Sequence, residues 1–251
     1  MGYPAPASSR APQLLAVCVA VLAALAIYGK TDAPVATGRD NAATAALRAS
    51  ADLFKQTKRR GRPTGIVAEP LLQASAALLP AFDSYGPLLG RAARADLLGN
   101  VRKLRKAGAG PGVGDVGTIV VADPDFRDVD GPTMALFWLN RILQQIAATF
   151  EYLLATDDDL VRVATRAYLE VTAPYNLRHQ RAIGRILLKI IPNRKALVRC
   201  YGQPDFAHLA PVLERWLAAS KPTRDAIDAF YAARPAVTPP LRWKKNAKKL
   251  D

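Results

Sequence analysis

ARADLLGNVRKLRK, residues 93–106, forms the second half of a stretch from about 88 to 106 that reads as one helix. Within it Asp96, Asn100 and Lys103 stand at i, i+4 and i+7, so all three project from one face. That face carries an acceptor, an amide that both donates and accepts, and a cationic donor. A sugar hydroxyl is itself donor and acceptor, and planar Asp and Asn groups match that pairing. On spacing alone the triplet equally describes a solvated helix face, which is the commoner case.

Outward from this stretch the pattern stays helical. Residues 71–79 are one apolar segment that Pro80 ends or kinks. AGAGPGVGDVG (107–117) reads as a flexible connection, and without a following GK[ST] it is no phosphate cradle. Residues 132–154 are apolar on most of their circumference, which implies burial on several sides. Asn140, Arg141, Gln144 and Gln145 in that segment argue against a membrane span. Its Trp138 is a core residue by default, and beside a sugar-binding patch it offers an apolar ring face to sugar C–H groups. Thr156 and the three aspartates at 157–159 read as an N-cap for a helix over 160–172. Pro174 restarts the chain into a helix ending near Ile191, and further helices are expected over 207–219 and 222–233.

Composition sets the outer limits. The chain has 251 residues, half of them hydrophobic, with alanine and leucine dominant, which favours an all-α fold around a sizeable core. The formal net charge of +14 attracts anionic surfaces without choosing among nucleic acid, acidic lipid and acidic protein. Basic residues gather toward the ends and no nucleic-acid motif accompanies them, so a nucleic-acid partner is not expected. Cys18 and Cys200 have no CxxC partner, and His179 and His208 fall in no metal-ligand spacing. GxSxG, GxGxxG and HRD are all missing, so neither an enzyme nor a bound cofactor or metal is expected.

The expected organisation has four parts. Residues 1–30 carry the apolar run LLAVCVAVLAALAIY (14–28), between Arg10 and Lys30. At less than the roughly 20 residues of a membrane span, it reads as a signal peptide, a short anchor or an organelle-targeting segment. The protein would then be membrane-associated, or luminal or secreted if the run is cleaved. Residues 31–65 read as a linker with a basic cluster at Lys55, Lys58, Arg59, Arg60 and Arg62. A helical domain spans 66–238, and a basic tail over 239–251 sets Trp243 among Arg242, Lys244, Lys245, Lys248 and Lys249. Both basic segments suit an anionic membrane surface.

At these residues the sequence resembles the glycolipid transfer protein superfamily. LLPAFDSYGPLL (78–89) is similar to that family's LPxFFDxLG segment, with Asp83 and Asp96 at the family's interval. ADLLGNVRK matches ADxxGNxxK, TMALFWLNR (133–141) is similar to TLALMWLKR, and TRAYLEVTAPYN (165–176) to TKAYxxxLxxYH. Pro192 falls where the family also has proline. The ordered blocks cover about 68–235.

The resemblance implies a two-layer helical sandwich whose apolar interior takes the chains of one sphingolipid, in a monomer that moves it between membranes. It implies that Asp96 takes the ceramide amide and a headgroup hydroxyl, that Asn100 and Lys103 bond the first sugar, and that Trp138 stacks beneath it. Family members that carry ceramide phosphate have Lys, Arg and Arg where this chain has Asn100, Trp138 and Met134. A phosphate needs those cations, so a glycosphingolipid is the expected cargo. The family's histidine for the acyl carbonyl is Asn176 here, whose amide can still donate, and His179 stands one turn on. Met134, Arg141, Tyr175 and His179 complete the candidate set. The alternatives are ceramide-phosphate transfer, a tethered sensor that keeps its lipid, and, more distantly, a basic nucleic-acid binder.

Overall fold

The structure is a computed structural model that describes residues 41–58, 64–82, 87–109, 114–126 and 128–239. The apolar run at 14–28, Asp83, the arginines at 59, 60 and 62, and the basic tail from 240 lie outside the described residues. Among the described residues the chain forms ten α-helices, one 3-10 turn and isolated β-bridges only. The helices are α1 Ala42–Phe54, α2 Ala68–Ala77, α3 Leu79–Phe82, α4 Pro87–Lys106 and α5 Val116–Val121. There follow α6 Pro132–Ala155, α7 Leu160–Val171, the turn Ala173–Tyr175, α8 Arg178–Leu188, α9 Arg194–Cys200 and α10 Phe206–Ala232.

The fold is the all-α two-layer sandwich that the sequence leads one to expect. Helix α6 starts with Pro132 in its first turn, where a missing N–H costs nothing. It buries side chains on most of its circumference, and α4, α5, α7 and α10 all pack against it. Helix α1 gathers α2 and α3, and α10 packs on both α1 and α6. At that junction Trp216 is fully buried, edge-on to Phe54 of α1 at 6.0 Å and to Phe150 of α6 at 5.6 Å. Its indole N–H donates to Ser50 Oγ at 3.0 Å, so the polar edge of the largest core side chain is satisfied.

Several segments differ from the expectation. Part of the expected linker over 31–65 is helix α1, with Leu47, Ala51 and Phe54 in the core. Ala43, Leu47, Ala51 and Phe54 do recur at helical spacing, but alanine is a weak signal and the basic cluster that follows suggested solvent. The 107–117 loop ends early: α5 begins at Val116, capped by Asp115. The two expected C-terminal helices are one, with Pro211 and Pro222 inside it. The loss of a backbone bond at each proline is outweighed by packing on α1 and α6. Pro174 begins only a 3-10 turn, and α8 follows separately. Asp159 sits at the N-cap position of α7, yet its carboxylate accepts from Arg194 N at 3.2 Å and makes no cap bond to α7.

The interior is apolar, as expected. Between the layers Leu47, Leu78, Ala81, Phe82, Ile146, Phe150 and Tyr201 line a cavity of about 10 Å³. That volume suits a single water and no acyl chain.

Asp115, 2% exposed, anchors the segment between α1 and α2. Its carboxylate accepts from Thr64 Oγ1 at 2.7 Å, Ile66 N at 2.9 Å and Gly117 N at 2.7 Å. Asp115→Ala would strand those donors and should lower unfolding free energy by about 2–4 kcal/mol. In urea denaturation the exposed substitution Glu214→Gln should stay within about 0.5 kcal/mol of wild type. Equal stability of both variants would refute the anchoring role.

Candidate functional site

Leu97, Val101 and Leu104 are fully buried and fix the rotation of α4. Asn100, at 3% exposure, is carried to the edge of that stripe, with Asp96 and Lys103 beyond it toward solvent. Asn100 Nδ2 donates to Asp96 O at 3.0 Å and to Asp96 Oδ1 at 3.3 Å. The three residues that spacing placed on one face therefore form one patch.

Desolvation by surrounding protein raises the Asp96 carboxyl above its ordinary range, while the charge of Lys103 and the bond from Asn100 pull it back. The outer edge of Asp96 is nevertheless open to water. Protein mass on its other sides sets the direction of the shift, and solvent contact limits its consequence for stability. Two of the three Lys103 donors are engaged within the protein: Nζ donates to Val129 O at 3.0 Å and pairs with Asp130 at 3.1 Å.

The second group lies on α6. Met134 and Trp138, four residues apart, are both half-buried on one side of the helix. Trp138 meets Phe137 edge-on at 5.5 Å. Phe137 is the hub of the cluster, with Tyr175 at 4.9 Å and Tyr231 at 5.4 Å. The Arg141 guanidinium lies 5.5 Å from the Phe137 ring centre and 5.8 Å from that of Tyr175. Burial pulls the Arg141 pKa down. Its ion-pair partner is Asp228 of α10, which also accepts from Asn140 at 2.8 Å and Gln144 at 2.6 Å. Arg141 is therefore committed to joining α6 to α10. Tyr231, buried with its hydroxyl on Thr133 O at 2.6 Å, has its pKa pushed well up by desolvation.

Asn176, in place of the expected histidine, donates from Nδ2 to Tyr168 Oη at 3.1 Å, and Arg181 donates to its carbonyl at 2.8 Å. An asparagine amide has two hydrogens, so this leaves one for a ligand. Burial raises the Tyr168 pKa, with Asn176 and the nearby arginines opposing. His179 is exposed on the first turn of α8.

Asp96 and Asn100 are thus joined to each other with Lys103 on the same helix face, and Trp138, Tyr175 and Arg141 are joined through Phe137. The packing of α4 on α6 sets the two groups on adjacent helices. Sequence reasoning missed Asp130, Phe137, Asp228 and Tyr231. The aspartates at 123, 125, 128 and 130, directly before the Gly131–Pro132 helix start, were the available signal for Asp130. Nothing in spacing points to Asp228, because its partners lie on another helix.

Similarity to solved structures extends over this whole body. The human ceramide-1-phosphate transfer protein, in complex with 12:0 ceramide-1-phosphate, superposes with a TM-score of 0.68 at 15% identity, covering 80% of this chain and 100% of that one. A variant of Arabidopsis ACD11 (accelerated-cell-death 11), complexed with C12 ceramide-1-phosphate, gives 0.66 at 19% identity over 75% of this chain and 95% of that one. HET-C2, a fungal glycolipid transfer protein, gives 0.63 at 20% identity over 76% and 95%. At such identities the likeness shows the fold alone. No curated protein sequence matches significantly. The family model described as Glycolipid transfer protein (GLTP) matches residues 66–203, more than half of the chain. The chain belongs to the glycolipid transfer protein family.

Proposed function

We propose that this protein binds one sphingolipid and moves it between membranes, with a glycosphingolipid as preferred cargo. The observation that carries the reading is the Asp96–Asn100–Lys103 patch, assembled on a helix of a GLTP-family fold next to the helix that bears Trp138. Asp96 and Asn100 present acceptor and donor groups to sugar hydroxyls, and Trp138 supplies an apolar ring face. Asn100, Met134 and Trp138 stand where a phosphate headgroup would call for cations, which supports the glycolipid over ceramide phosphate.

Affinity has to come from the chains. Burying a methylene contributes about 0.8 kcal/mol, so a chain of ~16 carbons represents on the order of 12 kcal/mol. A net hydrogen bond contributes only about 0.5–1.5 kcal/mol. Headgroup contacts therefore select, while the apolar interior holds. Cargo entry separates the side chains that close the interior around Leu78, Phe82 and Phe150.

The proposed membrane contact is α8. Its Arg178 and Arg185 and the C-capping Lys189 share one exposed face, and Ile186 and the N-capping Leu177 are exposed large apolar side chains at 44% and 40%. No acidic residue occurs between Glu170 and Asp205. Cations beside exposed aliphatic groups suit an anionic bilayer surface. Among the described residues no helix is long and apolar enough to cross a membrane. The run at 14–28 is proposed as a tether, or as a signal whose removal N-terminal sequencing of the mature protein would reveal.

Asp96→Val should abolish intervesicle transfer of a fluorescent glycolipid while leaving helical circular dichroism unchanged; retained transfer would remove the site assignment. Met134→Arg combined with Trp138→Arg should shift a competition assay toward ceramide phosphate, and an unchanged preference would count against the glycolipid reading. Arg185→Glu with Lys189→Glu should weaken binding to phosphatidylserine-containing vesicles by about tenfold or more. Undiminished binding would exclude α8 as the docking helix.

A further inference from the structure

Helix α4 carries a second row of side chains beside the headgroup patch. Arg91, Ala95, Leu98, Arg102 and Lys106 recur at intervals of four, three, four and four residues, so they line one side of the helix. Arg91, Ala95, Arg102 and Lys106 are exposed. At 1.5 Å per residue the row runs about 22 Å along the axis, and Asp96, Asn100 and Lys103 stand within its length on the neighbouring side. We propose that this row is a docking surface for an anionic bilayer, one that sets the headgroup patch against the membrane while cargo is exchanged. The purpose given to the row rests on the assignment of the headgroup to α4 made above.

The cations of α4 divide by position. Arg94 donates to Leu79 O at 3.4 Å, Lys103 pairs with Asp130 at 3.1 Å, and Arg105 pairs with Glu69 at 3.4 Å. Arg91, Arg102 and Lys106, the cations of the row, have no hydrogen-bond or ion-pair partner among the described residues. Their charge is therefore not spent within the fold. Three such cations on one side of one helix are complementary to the phosphates and carboxylates of an acidic leaflet.

The strip between row and patch is open. Gly99 lies there, and a side chain at that position would meet nothing within 4 Å. A surface laid along the row thus reaches the edge of the patch without an intervening element at Gly99. Transfer requires such an approach. A headgroup that passes from a bilayer to Asp96 and Asn100 brings the bordering surface of α4 among neighbouring lipid headgroups. Each basic residue near an anionic leaflet strengthens binding on the order of fivefold. The cations of α8 stand on a separate element, so the two contacts can be tested apart.

The test is sedimentation of the full chain with phosphatidylcholine vesicles, with and without phosphatidylserine. Arg91→Gln, Arg102→Gln and Lys106→Gln together should weaken binding to the anionic vesicles about tenfold or more and leave binding to neutral vesicles unchanged. Arg162→Gln, Arg215→Gln and Lys221→Gln remove the same charge from exposed positions of α7 and α10, where each cation already has a carboxylate partner. That variant should stay within about threefold of wild type, because charges more than a Debye length from the contact are screened. Acetylation footprinting gives an arm without mutation: on anionic vesicles Lys106 should be protected and Lys221 should not. Equal losses in the two variants, undiminished binding in the α4 variant, or an unprotected Lys106 overturns the proposal. Galactosylceramide transfer, followed in the same vesicles, separates this surface from the proposed function. A wild type that docks through the row yet transfers no glycolipid overturns that function and leaves the docking surface standing.

Discussion

The constraint on which the structure depends is that α6 is apolar on most of its circumference and has to be covered there. A helix of this kind cannot lie at a surface. Four others close around it, α4, α5, α7 and α10, and this enclosure sets the polar face of α4 beside the helix that carries Trp138. Where polar side chains of α6 fall inside, α10 answers with Asp228, which accepts from Asn140, Arg141 and Gln144. The answer is incomplete. Among the described residues, Asn140 Oδ1, Arg141 Nε and Arg224 Nη2 are buried without a protein partner. The seam between α6 and α10 thus offsets part of what its ion pair contributes, while the rings around Trp216 hold the same helices by apolar contact alone.

Enclosure and cargo binding make opposite demands on one interior. A close-packed core is what stabilises the fold in the absence of lipid. The apolar lining that seals itself is the same lining that would cover acyl chains. Exchanging side-chain contacts for chain contacts leaves the amount of buried apolar surface similar, so the closed form is compatible with a function in which the layers part. The polar patch lies outside this exchange, on a helix face whose rotation is fixed by Leu97, Val101 and Leu104.

Charge is distributed with the same separation of roles. The net charge of +14 is not spread evenly: the stretch from α8 through α9 lacks acidic residues, while the loop before α6 gathers four aspartates. The first suits a long-range attraction to an anionic surface. From the second, Asp130 pairs with Lys103, the one cation of the candidate triplet, at 3.1 Å.

How much of this was legible in the sequence follows from the range of the interactions involved. Helical periodicity is local, so residues 93–106 and 132–154 were readable as helices, and the grouping of Asp96, Asn100 and Lys103 followed from spacing along one element. The ordered family blocks extended that reading to the fold. Helix α1 escaped because an alanine-rich stripe is weakly hydrophobic until Phe54 and Leu47 are seen packed on α10. The length of α10 escaped because its two prolines are local breakers that only packing can override. Lys103 was correctly placed on its face, yet its partners Val129 and Asp130 arrive from a loop that spacing along a helix cannot reach. The sequence by itself determined which residues share a face. Only the tertiary structure decided which of them are already engaged, and whether the interior stands open, because pairing and packing depend on segments brought together from distant parts of the chain.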